Sequence, residues 1–446
     1  MAKTLTLLVL GLVCLGGAAL LREQVSGPQS LEPVDQKMLA QMATPRPTAS
    51  DLPVRPMATL FAPLRGPSLP PRFSPAASGS PQALPSGSPS GSGSPGASPG
   101  TSPSPAASPS PSASPTGSPS GSPASVAALH NQAVVVDTHV ESPYWITESK
   151  IHLRSNKREV SLEKLKAGGV DVVFFSIMVN PARYGKIARS QAEFIIQGLK
   201  KEISANQDMI ELATSYADIK RIVAKGKIAG LMGMEGGDPI EDRLSNVDRF
   251  YKLGVRYLGP TWSLHTQLGD SSGPARSRWN GLSPLGKQVI RRMNQLGMLV
   301  DVSHLSDASF NDVLKLSSQP VIASHSGVDG ARLSARNLSD NMLKLMAVND
   351  GVVGILFYPP FLETKGKANL ASVVRHIDYA VKVAGIDHVG LGSDFDGLDT
   401  PPPVGLEDAS KFPAITAELK KHGYKDDEIL KILGGNFMKV FEKVLK

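Results

Sequence analysis

The chain has 446 residues and a single cysteine, Cys14. No disulfide can therefore form within it, and a packed core must hold whatever it folds into. Aromatic residues make up only 5%, and no basic stripe interleaved with aromatics occurs, which removes the usual footprint of nucleic-acid binding. The net charge of +7 is modest for this length. Its basic residues alternate with acids over stretches such as Lys157–Lys166 and Lys420–Lys446, as on solvated helices. Between Arg72 and Asp137 charge is missing altogether, with no Lys, Arg, Asp or Glu. Within that gap, Pro75–Ser125 is nearly all Ser, Pro, Gly, Ala and Thr. Such a stretch buries too little apolar surface to offset its chain entropy. Residues 24–125 are accordingly expected to be a disordered linker.

One long apolar run is present, Leu5 to Leu21, preceded by Lys3 and closed by Arg22 and Glu23. Its length falls between a signal-peptide core and a full span of about 20 residues. Residues 1–23 thus read as a signal peptide or an amino-terminal membrane anchor. Gly17-Ala18-Ala19 offers a cleavage site and Cys14 a lipidation site, although Leu12 and Val13 are bulky for the latter. Each reading exports the rest of the chain and confines membrane contact to this segment.

From residue 126 onward, strand and helix patterns alternate. Apolar runs at 133–139, 170–179, 228–235, 255–262, 298–304, 320–326, 352–358 and 388–394 have the form of strands buried on both faces. Between them lie amphipathic stretches, including one from Leu285 to Leu296 with Ser283-Pro284 before it and Gly297 after it. Eight strands alternating with helices predict an α/β fold, a (β/α)8 TIM-type barrel over residues 126–446. Asp408–Lys446 would add two or three helices outside it.

A parallel barrel brings the carboxyl ends of its strands to one face. Residues able to bind metal or move protons stand at those ends: His139, Glu141, Glu235, His304, His325 and Asp394. Three His, two Glu and an Asp suit a pair of divalent ions with a carboxylate beside them. His139 and Glu141 are two apart, so on a strand both would point into the barrel mouth; a capping His with a surface Glu is the plain alternative. Glu235 follows a buried strand and needs a partner, which two bridged cations or a nearby arginine would supply. His304 and His325 each follow a short apolar strand and a serine, some twenty residues apart. Asp394 ends the last strand, while Asp396 reads as a turn residue.

These residues sit in motifs that resemble the membrane dipeptidase, or renal dipeptidase, family of the amidohydrolase superfamily. The resemblance covers roughly residues 130–445. It rests on Asp301-Val302-Ser303-His304, Ala323-Ser324-His325-Ser326, Arg336-Asn337-Leu338 and Gly392-Ser393-Asp394-Phe395-Asp396-Gly397. Glu235-Gly236-Gly237, Gly254-Val255-Arg256-Tyr257 and Gly405-Leu406-Glu407-Asp408 add support, as does the eleven-residue step from His325 to Arg336.

The resemblance implies zinc-dependent hydrolysis of dipeptides by a metal-activated water, including those ending in a D-residue. His139 and Glu141 would bind one zinc, His304 and His325 the other, and Glu235 would bridge the two. Asp394 resembles the family's catalytic Asp, and Arg336 the residue that receives the substrate's terminal carboxylate, although a surface ion pair is its plain alternative. Two departures stand out. The family's usual H-x-D is here His139-Val140-Glu141, and its Thr-His-Ser is Thr261-Trp262-Ser263. His265, three residues on, would be the substitute for that missing substrate-binding histidine. The departures leave room for a related barrel acting on a lactone, cyclic amide or acylated amino acid, or for a decayed barrel that only binds. A homodimer is one candidate assembly.

Overall fold

The computed structural model describes residues 123–446. The expectations for the amino-terminal segment and for most of the linker lie outside the described residues. The first described element, the helix Pro123–Gln132, begins three residues before the expected boundary at 126.

Nine strands follow: β1 Val135–Val140, β2 Val170–Met178, β3 Ile210–Leu212, β4 Ile228–Glu235, β5 Val255–Gly259, β6 Leu299–Val300, β7 Ile322–Ser326, β8 Val352–Ile355 and β9 Val389–Leu391. All their pairings are parallel. One arc runs β1-β2-β4-β5-β6 and the other β7-β8-β9. Isolated parallel bridges, Asp301 to Ile322 and Val140 to Phe395, join the arcs at both ends. The eight expected strands therefore form the ring. The ninth, β3, pairs with the first residues of β4, on the edge that β5 takes further along. Three residues are too few for a periodic signal to reveal it.

Several strands end sooner than their apolar runs suggest. Regular pairing in β6 covers only Leu299-Val300, and in β9 only Val389–Leu391. Downstream of each, a non-glycine residue takes the left-handed backbone region: His304 at φ 67° and Asp394 at φ 65°. No strand continues through that conformation.

The core has two shells, as the parallel ring requires. Inside it lie Val136, Val172, Phe174, Leu231, Tyr257, Leu299, Ile322 and Val352. The other faces, such as Val135, Val173, Phe175 and Ile177, belong to the shell packed under the helices. The carboxyl-terminal segment is not wholly outside the barrel, contrary to expectation. Phe437 and Phe441, on the helix Asn436–Val444, join the inner cluster, and Phe441 meets Phe174 with ring centroids 5.5 Å apart. They close the end where the strands begin, with the Phe437 ring lying against Gly390 of β9. Functional groups are left to the opposite mouth.

Candidate metal centre and active site

His139 lies within β1, wholly buried. The strand stops at Val140, and Glu141 is the residue from which the helix Ser142–Glu148 starts, at φ −99°. Strand alternation is thus not what aims both side chains inward; the strand-to-helix turn aims the second. His139, Glu141 and Glu235 nonetheless form a group whose ligand atoms lie within 4.8 Å of one another. Glu235, His304 and His325 form a second such group, and His139, His325 and Asp394 a third.

Glu235 stands between the histidines. Its Oε1 is 2.9 Å from His304 Nε2 and 3.3 Å from His325 Nε2. Its Oε2 is 3.4 Å from His139 Nε2 and accepts a hydrogen bond from Ser176 Oγ at 3.1 Å. The arginine partner considered from sequence is not what holds it. Burial opposes its charge, but His139, His304 and His325 outweigh burial and hold the carboxyl well below the usual range. Burial pushes His304 down to about 4, aided by the Arg336 charge. Burial, with the charge of His139, pushes His325 well below its ordinary value. Both are therefore neutral near pH 7, the form that ligates metal. His139 is the exception. Burial opposes its protonation, but Glu235 and Asp394 together raise it.

The donor set fits a small divalent cation. His139 Nε2 is buried without a hydrogen-bond partner. His304 Nε2 and His325 Nε2 converge to 3.0 Å; with Zn–N bonds of about 2.0–2.1 Å, two nitrogens on one tetrahedral ion sit roughly 3.3 Å apart. Uncharged imidazoles and carboxylates are the ligands zinc takes.

Asp394 leaves β9 with its N–H donating to His139 O at 3.0 Å, which sets its Oδ1 3.8 Å from His139 Nε2. Burial pushes its carboxyl up to about 7, so it can hold or release a proton near neutral pH. Asp396 has the structural role expected. Its buried carboxylate accepts from Ser142 Oγ at 2.6 Å and from Val160 N at 3.1 Å, and pairs with Arg158 at 3.6 Å.

Arg336 is buried rather than at the surface. It donates to Ser326 Oγ at 2.9 Å and His325 O at 2.7 Å, while its Nε has no partner. No carboxylate among the described residues pairs with it, and burial works against its charge. His265 is elsewhere employed. Its Nδ1 accepts from Ser271 N at 3.0 Å, and its Nε2 donates to Arg276 O at 2.6 Å. As placed, it has no ring nitrogen left for a substrate, so it does not substitute for the histidine that Trp262 replaces.

Sequence reasoning missed the residues behind the cluster. Asp137 accepts from Ser393 N at 2.8 Å and Ser393 Oγ at 2.6 Å. Asp301 accepts from Ser324 N at 2.9 Å and Ser324 Oγ at 2.6 Å. These two clasps lie at the two seams between the arcs, β1 to β9 and β6 to β7, where regular pairing is sparse. A signal existed: an Asp shortly before His139 and before His304, and a Ser immediately before His325 and before Asp394.

Comparison with known proteins agrees with this geometry. The membrane dipeptidases (peptidase family M19) match over residues 124–446. Dipeptidase aclJ of Aspergillus oryzae is 34% identical over 296 residues, 64% of this chain and 70% of its own length. The probable dipeptidase PvdM from Pseudomonas aeruginosa is similar in structure, with TM-score 0.68 and 27% identity over 72% of this chain and 97% of that one. A metallopeptidase from Rhodobacter sphaeroides, solved with a phosphinate mimic of the dipeptide L-Ala-D-Ala, has TM-score 0.65 and 27% identity over 70% of this chain and 99% of its own.

Proposed function

The chain belongs to the membrane dipeptidase family, and from that premise we propose that it hydrolyses dipeptides with two zinc ions held by five residues. His139 and Glu141 would hold one ion and His304 and His325 the other, with Glu235 between them, Oε2 toward His139 and Oε1 toward His304 and His325. Zinc in such a site supplies Lewis-acid polarisation of a carbonyl and a water of lowered pKa. The chain's own groups do the rest. Asp394 takes the proton of the attacking water and delivers it to the leaving amine. Arg336 receives the substrate's carboxyl end, since a planar guanidinium matches a carboxylate with two parallel hydrogen bonds.

One observation carries this reading: a buried guanidinium beside the candidate metal cluster that pairs with no carboxylate among the described residues. An uncompensated buried charge is costly, and a substrate carboxylate supplies the missing partner. A lactone or cyclic amide would not, and the complete donor set speaks against a decayed barrel. The ligand mimic in the Rhodobacter sphaeroides neighbour supports extending the substrates to dipeptides with a carboxyl-terminal D-residue. An exported, extracytoplasmic enzyme, tethered or released through residues 1–125, follows from the sequence reading.

The test compares a dipeptide with its carboxyl-terminal amide. Losing the partner of a buried charge costs about 3–5 kcal/mol, so the amide should fall roughly 10²–10⁴-fold in kcat/KM. Equal turnover of acid and amide would remove Arg336 from this role.

A further inference from the structure

Arg336 is carried by the loop between β7 and the helix Asp340–Val348, and two buried side chains tie that loop to its surroundings. The first is His376, in the middle of the helix Leu370–Ala384. Its Nδ1 lies 3.1 Å from the backbone N of Val328, and its Nε2 lies 3.3 Å from Leu362 O. The second is Asn337, whose Nδ2 donates to Arg332 O at 2.7 Å and to Phe361 O at 3.0 Å. Phe361 and Leu362 belong to the short helix Pro359–Leu362 that follows β8.

These bonds meet at the neck of the loop. Leu338 N donates to Gly327 O at 2.9 Å and Asp329 N to Leu338 O at 2.9 Å, so the two ends of the loop pair with each other. A backbone N–H can only donate, so His376 Nδ1 accepts from Val328 and the ring proton stands on Nε2, donating to Leu362 O. The backbone is shaped to allow this packing. Gly327 lies against the Asn337 amide and Gly330 against the Tyr379 ring, and a side chain would fit at neither. Tyr379 follows His376 by three residues, on the same face of the helix. Neither bond of His376 reaches the donor cluster or Arg336 itself.

We infer that His376 and Asn337 are positioning residues that fix the neck of this loop against the helix after β8, and so place Arg336 for the substrate's carboxyl end. This rests on the role proposed for Arg336 above. The guanidinium's own bonds, to Ser326 Oγ and His325 O, hold the tip of the side chain, while the neck holds the backbone from which it extends. A planar fork matches a carboxylate only when both are correctly placed, and a displacement of about 1 Å can cost roughly 10²-fold.

The test measures kcat and KM for a dipeptide and for its carboxyl-terminal amide in the full-length, zinc-loaded parent and in His376→Asn, His376→Gln and Asn337→Ala. The amide oxygen of Asn reaches the place of Nδ1, so His376→Asn keeps an acceptor for Val328. Leu362 O then still accepts from Arg375 at 3.2 Å. Gln reaches the place of Nε2 instead and keeps only the bond to Leu362. Asn337→Ala loosens the neck without touching the helix that bears His376. His376→Gln and Asn337→Ala should each lower kcat/KM for the acid roughly 10–100-fold, through KM, and leave the amide within about twofold. His376→Asn should match the parent on both substrates. Hydrogen exchange over residues 327–338 should quicken in the first two variants and not in the third. Acid and amide falling together, or an acid-to-amide ratio unchanged in His376→Gln and Asn337→Ala, overturns the positioning role alone. A parent that turns over acid and amide alike overturns the role of Arg336 and this inference with it.

Discussion

At the residue scale, the proposed proton transfer rests on the carboxyl of Asp394. Its left-handed backbone costs about 1–3 kcal/mol, and the bond from its N–H to His139 O offsets part of that. What the strain achieves is placement, with Oδ1 facing His139 Nε2 rather than continuing along the strand. Asp394→Asn keeps the shape and removes the exchangeable proton. It should lower kcat by about 10²–10⁴-fold while zinc content, measured by elemental analysis, stays near parental. Near-normal turnover would take Asp394 out of proton transfer. Glu141 was legible as a candidate because it stands two residues after His139, but its route into the cavity was not. The extra methylene relative to the family's usual Asp fits because Gly397 has no side chain. An added Cβ there would stand 3.0 Å from Glu141 Cδ and 2.8 Å from Asp394 Oδ1. Burial of Arg336 was equally hidden, since a single Arg in a polar loop carries no sign of what surrounds it.

At the scale of elements, the apolar runs revealed all eight strands of the ring because parallel strands covered on both faces need continuous hydrophobic sequence. They revealed neither where pairing stops nor what joins the two arcs. Those depend on left-handed residues at His304 and Asp394 and on the clasps from Asp137 to Ser393 and Asp301 to Ser324, which are tertiary contacts without a local pattern. Asp396 performs a similar task for the segment 142–160. Its carboxylate ties Ser142, Val160 and Arg158 to the turn after β9, and Trp145 Nε1 donates to its carbonyl at 2.7 Å. Arg158 in turn lies 3.6 Å from the centroid of the Trp145 ring. Asp396→Ala leaves those donors unpaired and should lower the unfolding free energy by about 1–3 kcal/mol in urea titration. Because Glu141 starts the helix within that segment, zinc should also bind more weakly. Unchanged stability would show that water or neighbouring groups replace the carboxylate.

At the scale of the molecule, one end of the barrel is devoted to stability and the other to chemistry. Phe437 and Phe441 close the end where the strands begin, and the candidate metal donors gather where the strands finish. Among the described residues, the candidate donor set lies between residues 139 and 394. The composition of residues 24–125 predicts a spacer. Deleting them should therefore leave kcat/KM and the melting temperature unchanged and alter only where the enzyme resides. A large loss in either quantity would show that the segment docks on the barrel.

The central claim is that one carboxylate, Glu235, stands between two metal sites that work as a pair. The most direct measurement titrates zinc into metal-depleted protein while following hydrolysis of a dipeptide. The account predicts that turnover is absent without metal and rises to a plateau at two zinc per chain, with no plateau at one. Full activity at a single equivalent, or turnover in the metal-free protein, would contradict it.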